Sequence, residues 1–249
     1  MYFPEKYLSG SEINTGYTIN YSLDKTTLSK QEFLMEKCHG KKIIHLGFCD
    51  HIEVIDLKIK HNLWLHAKLL EVAAKCVGLD TNKSAIEHVR KLGYRDVFFC
   101  DITTCLLPEI GSPFTEGEVF DYILLPDILE HIPNPVFFLK SLQSNYGKYF
   151  NKVIVTVPNA FCEANHKWAL ENVECINTDH FYLFSPYTLA KCLYAGGYGN
   201  FKFDLVTAHS LRILNYKHYK TLWRMHHFNR LIKHPLFKDT IVCECDALE

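Results

Sequence analysis

The chain has 249 residues, 48% of them hydrophobic, and a formal net charge of −1 from 27 basic and 28 acidic residues. That length suits one large domain, or one domain with a small cap, and the apolar share suffices for a substantial core. Near-neutrality excludes a global field that would draw nucleic acid or an anionic membrane, and there is no 18-residue apolar run to form a span.

The first residues, MYFPEKYLSGSE, carry no apolar signal core, and the first 40 show no strong period until SKQEFLMEKC, which reads as a helix. Ser29 is its N-cap and Gly40 its stop, so residues 1–40 are expected to cap a main domain over 41–247. KIIHLG reads as a short strand ending at Gly47, residues 50–61 fit neither period, and a helix runs through NLWLHAKLLEVAAK. CVGLD is a strand and NKSAIEHVRKLG a helix, whose Ala85, Ile86, Val89 and Leu92 recur at helical spacing. DVFFCDI and FDYILL are the third and fourth strands, PVFFLKSLQSNY is a helix, and KVIVTV is a fifth strand closed by Pro158-Asn159. The remainder reads as a helix (SPYTLAKCLYAGG), a strand (FKFDLVTA), a helix (LNYKHYKTLWRMHHFNRLI) and a last strand (TIVCEC). Basic residues are densest from Lys217 to Lys238, where interleaved His, Trp and Phe favour a helix face over a polyanion site. Five strands alternating with helices imply right-handed βαβ units and an α/β fold with a mostly parallel sheet.

Ten cysteines would suggest disulfides in a small secreted domain, but here they are scattered, as at Cys76, Cys100 and Cys192. Reduced cytoplasmic thiols used as small core hydrophobes explain that spread. Cys243 and Cys245 alternate along one strand, no second pair has zinc spacing, and fourteen histidines form no HExxH pattern. No metal is expected on these grounds.

Chemistry concentrates in EVFDYILLPDILEH, residues 118–131, an apolar run that ends in Asp127, Glu130 and His131. A run this short and unbroken fits a buried parallel strand. The polar group after it falls where open α/β sheets bind ligands, outside the carboxyl ends of their strands. Three other strand ends carry suitable residues in order. Gly47 would let a ligand approach the backbone, Asp80 would accept ribose hydroxyls, and Asp101 would accept from an exocyclic amine. Each has a plainer reading, as a turn (Gly47, Asp101) or as the cap of the next helix (Asp80). Together, at consecutive strand ends, they point to a nucleoside site.

VGLDTNKSAIEHVRKLGYRDVFFCDI, FDYILLPDILEHIPNP, VIVTVPN and TDHFYLFSPYTLAKCLYAGGY resemble successive motifs of class I S-adenosylmethionine-dependent methyltransferases. The similarity covers about residues 41–205 and is strongest to small-molecule O-methyltransferases with an "LEH" after the fourth strand. It implies a Rossmann-like seven-stranded sheet flanked by helices, with an antiparallel last strand, TIVCEC, inserted beside the fifth. The cofactor site it implies comprises Gly47, Phe48, Asp50, Asp80, Thr81, Asp101, Ile102, Leu125 and Pro126. One departure stands out. The family's first motif is an acid followed by Gly-x-Gly-x-Gly, whereas this chain reads His45-Leu46-Gly47-Phe48-Cys49-Asp50, with residues 50–61 as an insertion. An "H-L-G-x-x-D" start resembles methyltransferases of bacterial surface-polysaccharide clusters. Asp50 is then either a binder of the cofactor's ammonium or a turn residue. The same departure argues against a dinucleotide, whose pyrophosphate needs G-x-G-x-x-G.

A methyl transfer of this kind requires the acceptor atom about 3 Å from the methyl carbon, and an alcohol acceptor needs a general base. His180 and His131 are the candidates, with Asp127 as base or as a holder of acceptor hydroxyls. His131 has the alternative of a structural hydrogen bond. Three functions compete: an O-methyltransferase on a sugar, nucleotide-sugar or related polar metabolite; a methyltransferase acting on nitrogen, a phenol or a phosphate-type oxygen; and a non-catalytic cofactor-binding member. The expected partners are a small-molecule acceptor and a second copy in a homodimer, without nucleic acid.

Overall fold

The computed structural model describes residues 3–23, 26–104, 117–208 and 233–248. Along the chain come α1 (Glu5–Ser9), α2 (Lys30–Cys38), β1 (Lys42–Leu46), α3 (Ile52–Lys60), α4 (Leu65–Val72), β2 (Lys75–Asp80), α5 (Lys83–Lys91) and β3 (Val97–Phe99). They are followed by β4 (Phe120–Pro126), α6 (Pro135–Tyr146), β5 (Phe150–Pro158), α7 (Glu163–Leu170), α8 (Pro186–Ala195), β6 (Tyr198–Val206) and β7 (Thr240–Ala247). The strands form one sheet in the order β3-β2-β1-β4-β5-β7-β6. Neighbouring pairs from β3 to β5 are parallel, while β7 runs antiparallel to both β5 and β6, as the resemblance implied.

The unbroken apolar strands are explained by burial on both faces. Ile44 and Leu46 point into a core with Val77, Leu79, Ile123, Leu125, Val153 and Val155, packed against Leu139 and Leu142 of α6 and Leu189 and Leu193 of α8. Ile43 points the other way, with Cys76, Leu124, Ile154 and Val242, against Phe33 and Leu34 of α2 and Leu69 of α4. The N-terminal segment serves both faces. Phe3 and Leu8 join the first core, and α2 covers the second. Its Ser29 caps α2 with the reciprocal Ser29–Glu32 box, so the expected start and the stop before Gly40 both hold.

Three elements differ from expectation. Residues 50–61, which fitted no period, hold α3, whose Ile55 is buried in a satellite core with Phe48, Trp64, Ile86 and Val89. The third strand stops at Phe99 rather than Ile102, because the Asp101 carboxylate accepts the Thr103 amide and hydroxyl hydrogens and turns the chain into a 3-10 helix at Ile102–Thr104. The sequence assigned no element to 163–170, which form α7. The helix expected through residues 214–232 lies outside the described residues. Among the described residues no helix is long and apolar enough to cross a membrane.

Candidate active site

In the sheet, β2 and β3 lie to one side of β1 and β4 lies to the other, so the order reverses between β1 and β4. Open α/β sheets bind ligands in the crevice at that reversal. A cavity of ≈ 830 Å³ opens there, lined by Gly47, Phe48, Cys49 and Asp50 after β1, Asp80 and Asn82 at the end of β2, and, from the last residue of β4 onward, Pro126, Asp127, Ile128, Glu130 and His131. Asn177, Asp179 and His180 from the segment between α7 and α8 close one side. The volume falls within the roughly 300–1,000 Å³ usual for small-molecule and cofactor sites.

At one end, Asp80 organises the loop after β1. Its two carboxylate oxygens accept the Cys49 amide at 2.9 Å and the Asn82 amide at 2.9 Å. Asp80 is therefore not the cap of α5; that role belongs to Asn82, whose side chain accepts from Ala85 N–H. A carboxylate has about four acceptor positions, so two remain for a ligand. Gly47 has φ +65°, and a Cβ there would lie 2.9 Å from Ile128 Cδ1. The space left by the missing side chain is thus filled by Ile128 rather than offered to a ligand, which corrects the reason for the glycine.

His45 stands where the family's acid is usual. Its Nδ1 lies 3.3 Å from His66 Nδ1, and both rings are buried, so one imidazole donates and the other accepts. Burial pushes His66 down to about 3, and burial with the neighbouring His66 pushes His45 well below the ordinary histidine value. Both are neutral at physiological pH. Gly78 makes this possible, since a Cβ there would stand 2.8 Å from Phe48 Cδ1 and 3.0 Å from His66 Cε1.

At the other end the chain leaves β4 through Asp127, which adopts φ +52°. Thr156 of β5 fixes it: the Asp127 amide donates to the Thr156 carbonyl at 2.9 Å, and the Thr156 hydroxyl donates to Asp127 Oδ1 at 2.8 Å. Lys30, the first residue of α2, forms an ion pair with the same carboxylate. A 3-10 turn, Leu129–His131, then brings Glu130 inward until it is fully buried. Burial, reinforced by the charge of Asp127, pushes the Glu130 carboxyl up to about 8. The segment carrying His180 is tied to this turn by the Phe181 amide, which donates to the Glu130 carbonyl at 2.7 Å, and by the Tyr182 hydroxyl, which donates to the Pro133 carbonyl at 2.8 Å. His131 and His180 meet edge to face with ring centroids 4.6 Å apart. Burial, then His131, lower the His180 pKa against the opposing pull of Asp127 and Asp179.

A family profile described as a methyltransferase domain matches residues 52–201. The chain belongs to that family. It is a class I S-adenosylmethionine-dependent methyltransferase with a Rossmann-like fold. Among solved structures this methyltransferase is similar to the small RNA methyltransferase HEN1, at 13% identity and TM-score 0.52, covering 94% of this chain and 27% of that one. It is also similar to a SAM-dependent methyltransferase from Archaeoglobus fulgidus, at 14% identity and TM-score 0.48 over 87% and 94% of the two chains. A third is the magnesium protoporphyrin IX methyltransferase of Synechocystis PCC 6803, solved with SAH, at 12% identity and TM-score 0.47 over 86% and 78%. Comparison with curated proteins gives no match.

The methyltransferase site brings together Gly47, Phe48, Asp50, Asp80, Pro126, Asp127, His131 and His180, all in the cavity wall. Four expected cofactor residues are not in that wall: Thr81 is exposed, Ile102 and Leu125 point into the core, and Asp101 is engaged by Thr103. The ammonium-binding reading of Asp50 is weakened, because Lys58 donates to both its oxygens at 2.8 Å. The residues present fit the cofactor at the end of β2, where Asp80 offers buried acceptor positions beside the apolar Phe48. Sequence reasoning missed Lys30, whose partner is 97 residues away and which no motif marks. Glu130 was visible in the polar cluster but received no role; its place beside His131 in DILEH was the available signal.

Proposed function

We propose that this methyltransferase methylates an oxygen of a polar small molecule, a sugar or nucleotide-linked sugar of surface-polysaccharide synthesis, in the cytoplasm. The observation that carries this reading is the His131–His180 pair beside Asp127 at the polar end of the cavity. S-adenosylmethionine supplies the electrophilic methyl group on a sulfonium. Asp80 would accept the hydroxyls of its ribose, with Phe48 and Pro126 as the apolar lining available beside it. An acceptor hydroxyl is barely ionised near neutral pH, so its proton must be taken up as the new bond forms. His180 suits that task, since it lines the cavity and burial with the neighbouring His131 lowers its pKa, which favours the unprotonated ring. Asp127 and Asp179 accept from further acceptor hydroxyls, and the hydrogen bonds from the Phe181 amide to the Glu130 carbonyl and from the Tyr182 hydroxyl to the Pro133 carbonyl hold these groups in register.

A screen of sugars and nucleotide-sugars with methyl-labelled cofactor tests the reading. Label is expected in a base-stable ether, and His180→Ala should lower kcat by about 10²–10⁴ with little change in cofactor affinity. Label found only on amines, or wild-type kcat in the His180 variant, would refute it.

A further inference from the structure

Glu130, His131 and His180 bring one ligand atom each to within 4.8 Å of one another. Glu130 is fully buried, and neither of its oxygens has a hydrogen-bond partner among the described residues. A buried carboxyl without a donor is costly whether ionised or not, so both oxygens call for a partner. His131 and His180 are half-buried and line the cavity, so the third side of the cluster opens toward the ligand space. From this geometry we infer that Glu130, His131 and His180 hold a divalent cation whose open coordination positions face the cavity and receive hydroxyl oxygens of the acceptor.

The donor set favours a first-row transition ion. Two imidazoles and one carboxylate suit Mn²⁺, Fe²⁺, Co²⁺ or Zn²⁺ better than the all-oxygen shells of Ca²⁺ and Mg²⁺. At metal–ligand distances of about 2.0–2.2 Å the ligand atoms stand roughly 3–4 Å apart, so the widest pair needs to close by at most about 1–2 Å, within reach of side-chain rotation. The backbone is already fixed for it by the Phe181–Glu130 and Tyr182–Pro133 hydrogen bonds across the two ligand-bearing segments. The local charge also favours a cation: Asp127 and Asp179 line this end, with Lys30 as the opposing ammonium paired to Asp127.

This inference rests on reading the polar end as the acceptor site, and it changes how a hydroxyl is activated there. His180 then serves as a ligand rather than as the base. A hydroxyl beside the cation loses its proton more easily, and Asp127 is the remaining acceptor for it. The oxygen lone pair forms the new O–CH₃ bond, the S–CH₃ bond breaks, and its electron pair returns to sulfur, leaving a neutral thioether.

The test is metal binding to the chelator-treated 249-residue protein, without substrate, using Mn²⁺, Co²⁺ and Mg²⁺ separately in calorimetry and the Co²⁺ visible spectrum. One equivalent of Mn²⁺ or Co²⁺ should bind more tightly than Mg²⁺, with Co²⁺ bands that report nitrogen ligands. His180→Ala and Glu130→Gln should each weaken Mn²⁺ binding at least about tenfold, a conservative reading of ligand loss. Should Glu130→Gln fail to fold, His180→Ala, which alters a half-buried loop residue, decides alone. Absence of binding at millimolar metal, or binding unchanged by His180→Ala, overturns the inference. The two readings fail separately. Methyl transfer to a hydroxyl that persists in chelator removes the cation and keeps the O-methyltransferase. Metal binding at these residues with label found only on amines keeps the cation and removes the O-methyltransferase.

Discussion

The buried His45–His66 pair makes an acid-sensitivity prediction that can be worked through numerically. His66 is held to about 3 by burial, against an ordinary value of 6.5. A folded-state pKa below the unfolded one means that the unfolded chain binds more protons as pH falls, so the contribution of this group is intact above about pH 6.5 and erodes below it. Between pH 7.5 and 4.5 the erosion amounts to roughly 3 kcal/mol, taking about 1.4 kcal/mol per pH unit below the unfolded pKa. Glu130 acts in the opposite sense over the same window. Its folded pKa of about 8 lies above the ordinary 4.5, so its protonated form favours the folded state as pH falls. The wild-type profile alone therefore mixes two signs, and the informative quantity is a difference between variants. His66→Gln removes the titration and keeps a polar partner for His45. Urea unfolding of both proteins at pH 7.5 and 4.5 should show the variant gaining roughly 3 kcal/mol relative to wild type on acidification, whatever its pH-independent offset. Parallel pH profiles for the two proteins would show that His66 protonates freely in the folded state, and the neutral-pair argument would fail.

Three further outcomes follow from the site and the core. Asp80→Ala should weaken S-adenosylmethionine binding by about 1–3 kcal/mol in calorimetry, since it removes a buried acceptor and releases the Cys49 amide that shapes the loop; an unchanged Kd would take Asp80 out of the site. Gly47→Ala should lower stability by at least about 1–2 kcal/mol in chemical denaturation, because φ is +65° and the added Cβ meets Ile128 at 2.9 Å; a neutral effect would mean that the loop re-forms with negative φ. All ten cysteines should alkylate in denatured, non-reduced protein, in keeping with the nine free thiols among the described residues; fewer than ten labels by intact mass would indicate a bond or a protected pair.

Residues that act through local chemistry were legible in the sequence. Ser29 was readable as the cap of α2, and in the structure the same chemistry starts α6 at Asn134 and α8 at Ser185, each because a side-chain oxygen meets orphan amides a few residues away. The doubly buried strands showed themselves as apolar runs, and their order placed the cavity at the carboxyl ends of β1, β2 and β4. Partners far apart along the chain were not legible, since no pattern in one segment encodes its contact with another. The pairing of His45 with His66, the Lys30 ion pair with Asp127, and the filling of the Gly47 gap by Ile128 all arise only when separate elements meet. The same holds for Glu130. DILEH displays the carboxyl and the imidazole, but the turn after a positive-φ Asp127 buries the one, and the packed segment bearing His180 completes the cluster around it. Sequence by itself determined the fold and the end of the sheet where chemistry occurs, because periodicity and caps act within a few residues. Tertiary structure alone decided which polar groups stand together there, because desolvation and close contact depend on what else is brought to the same place.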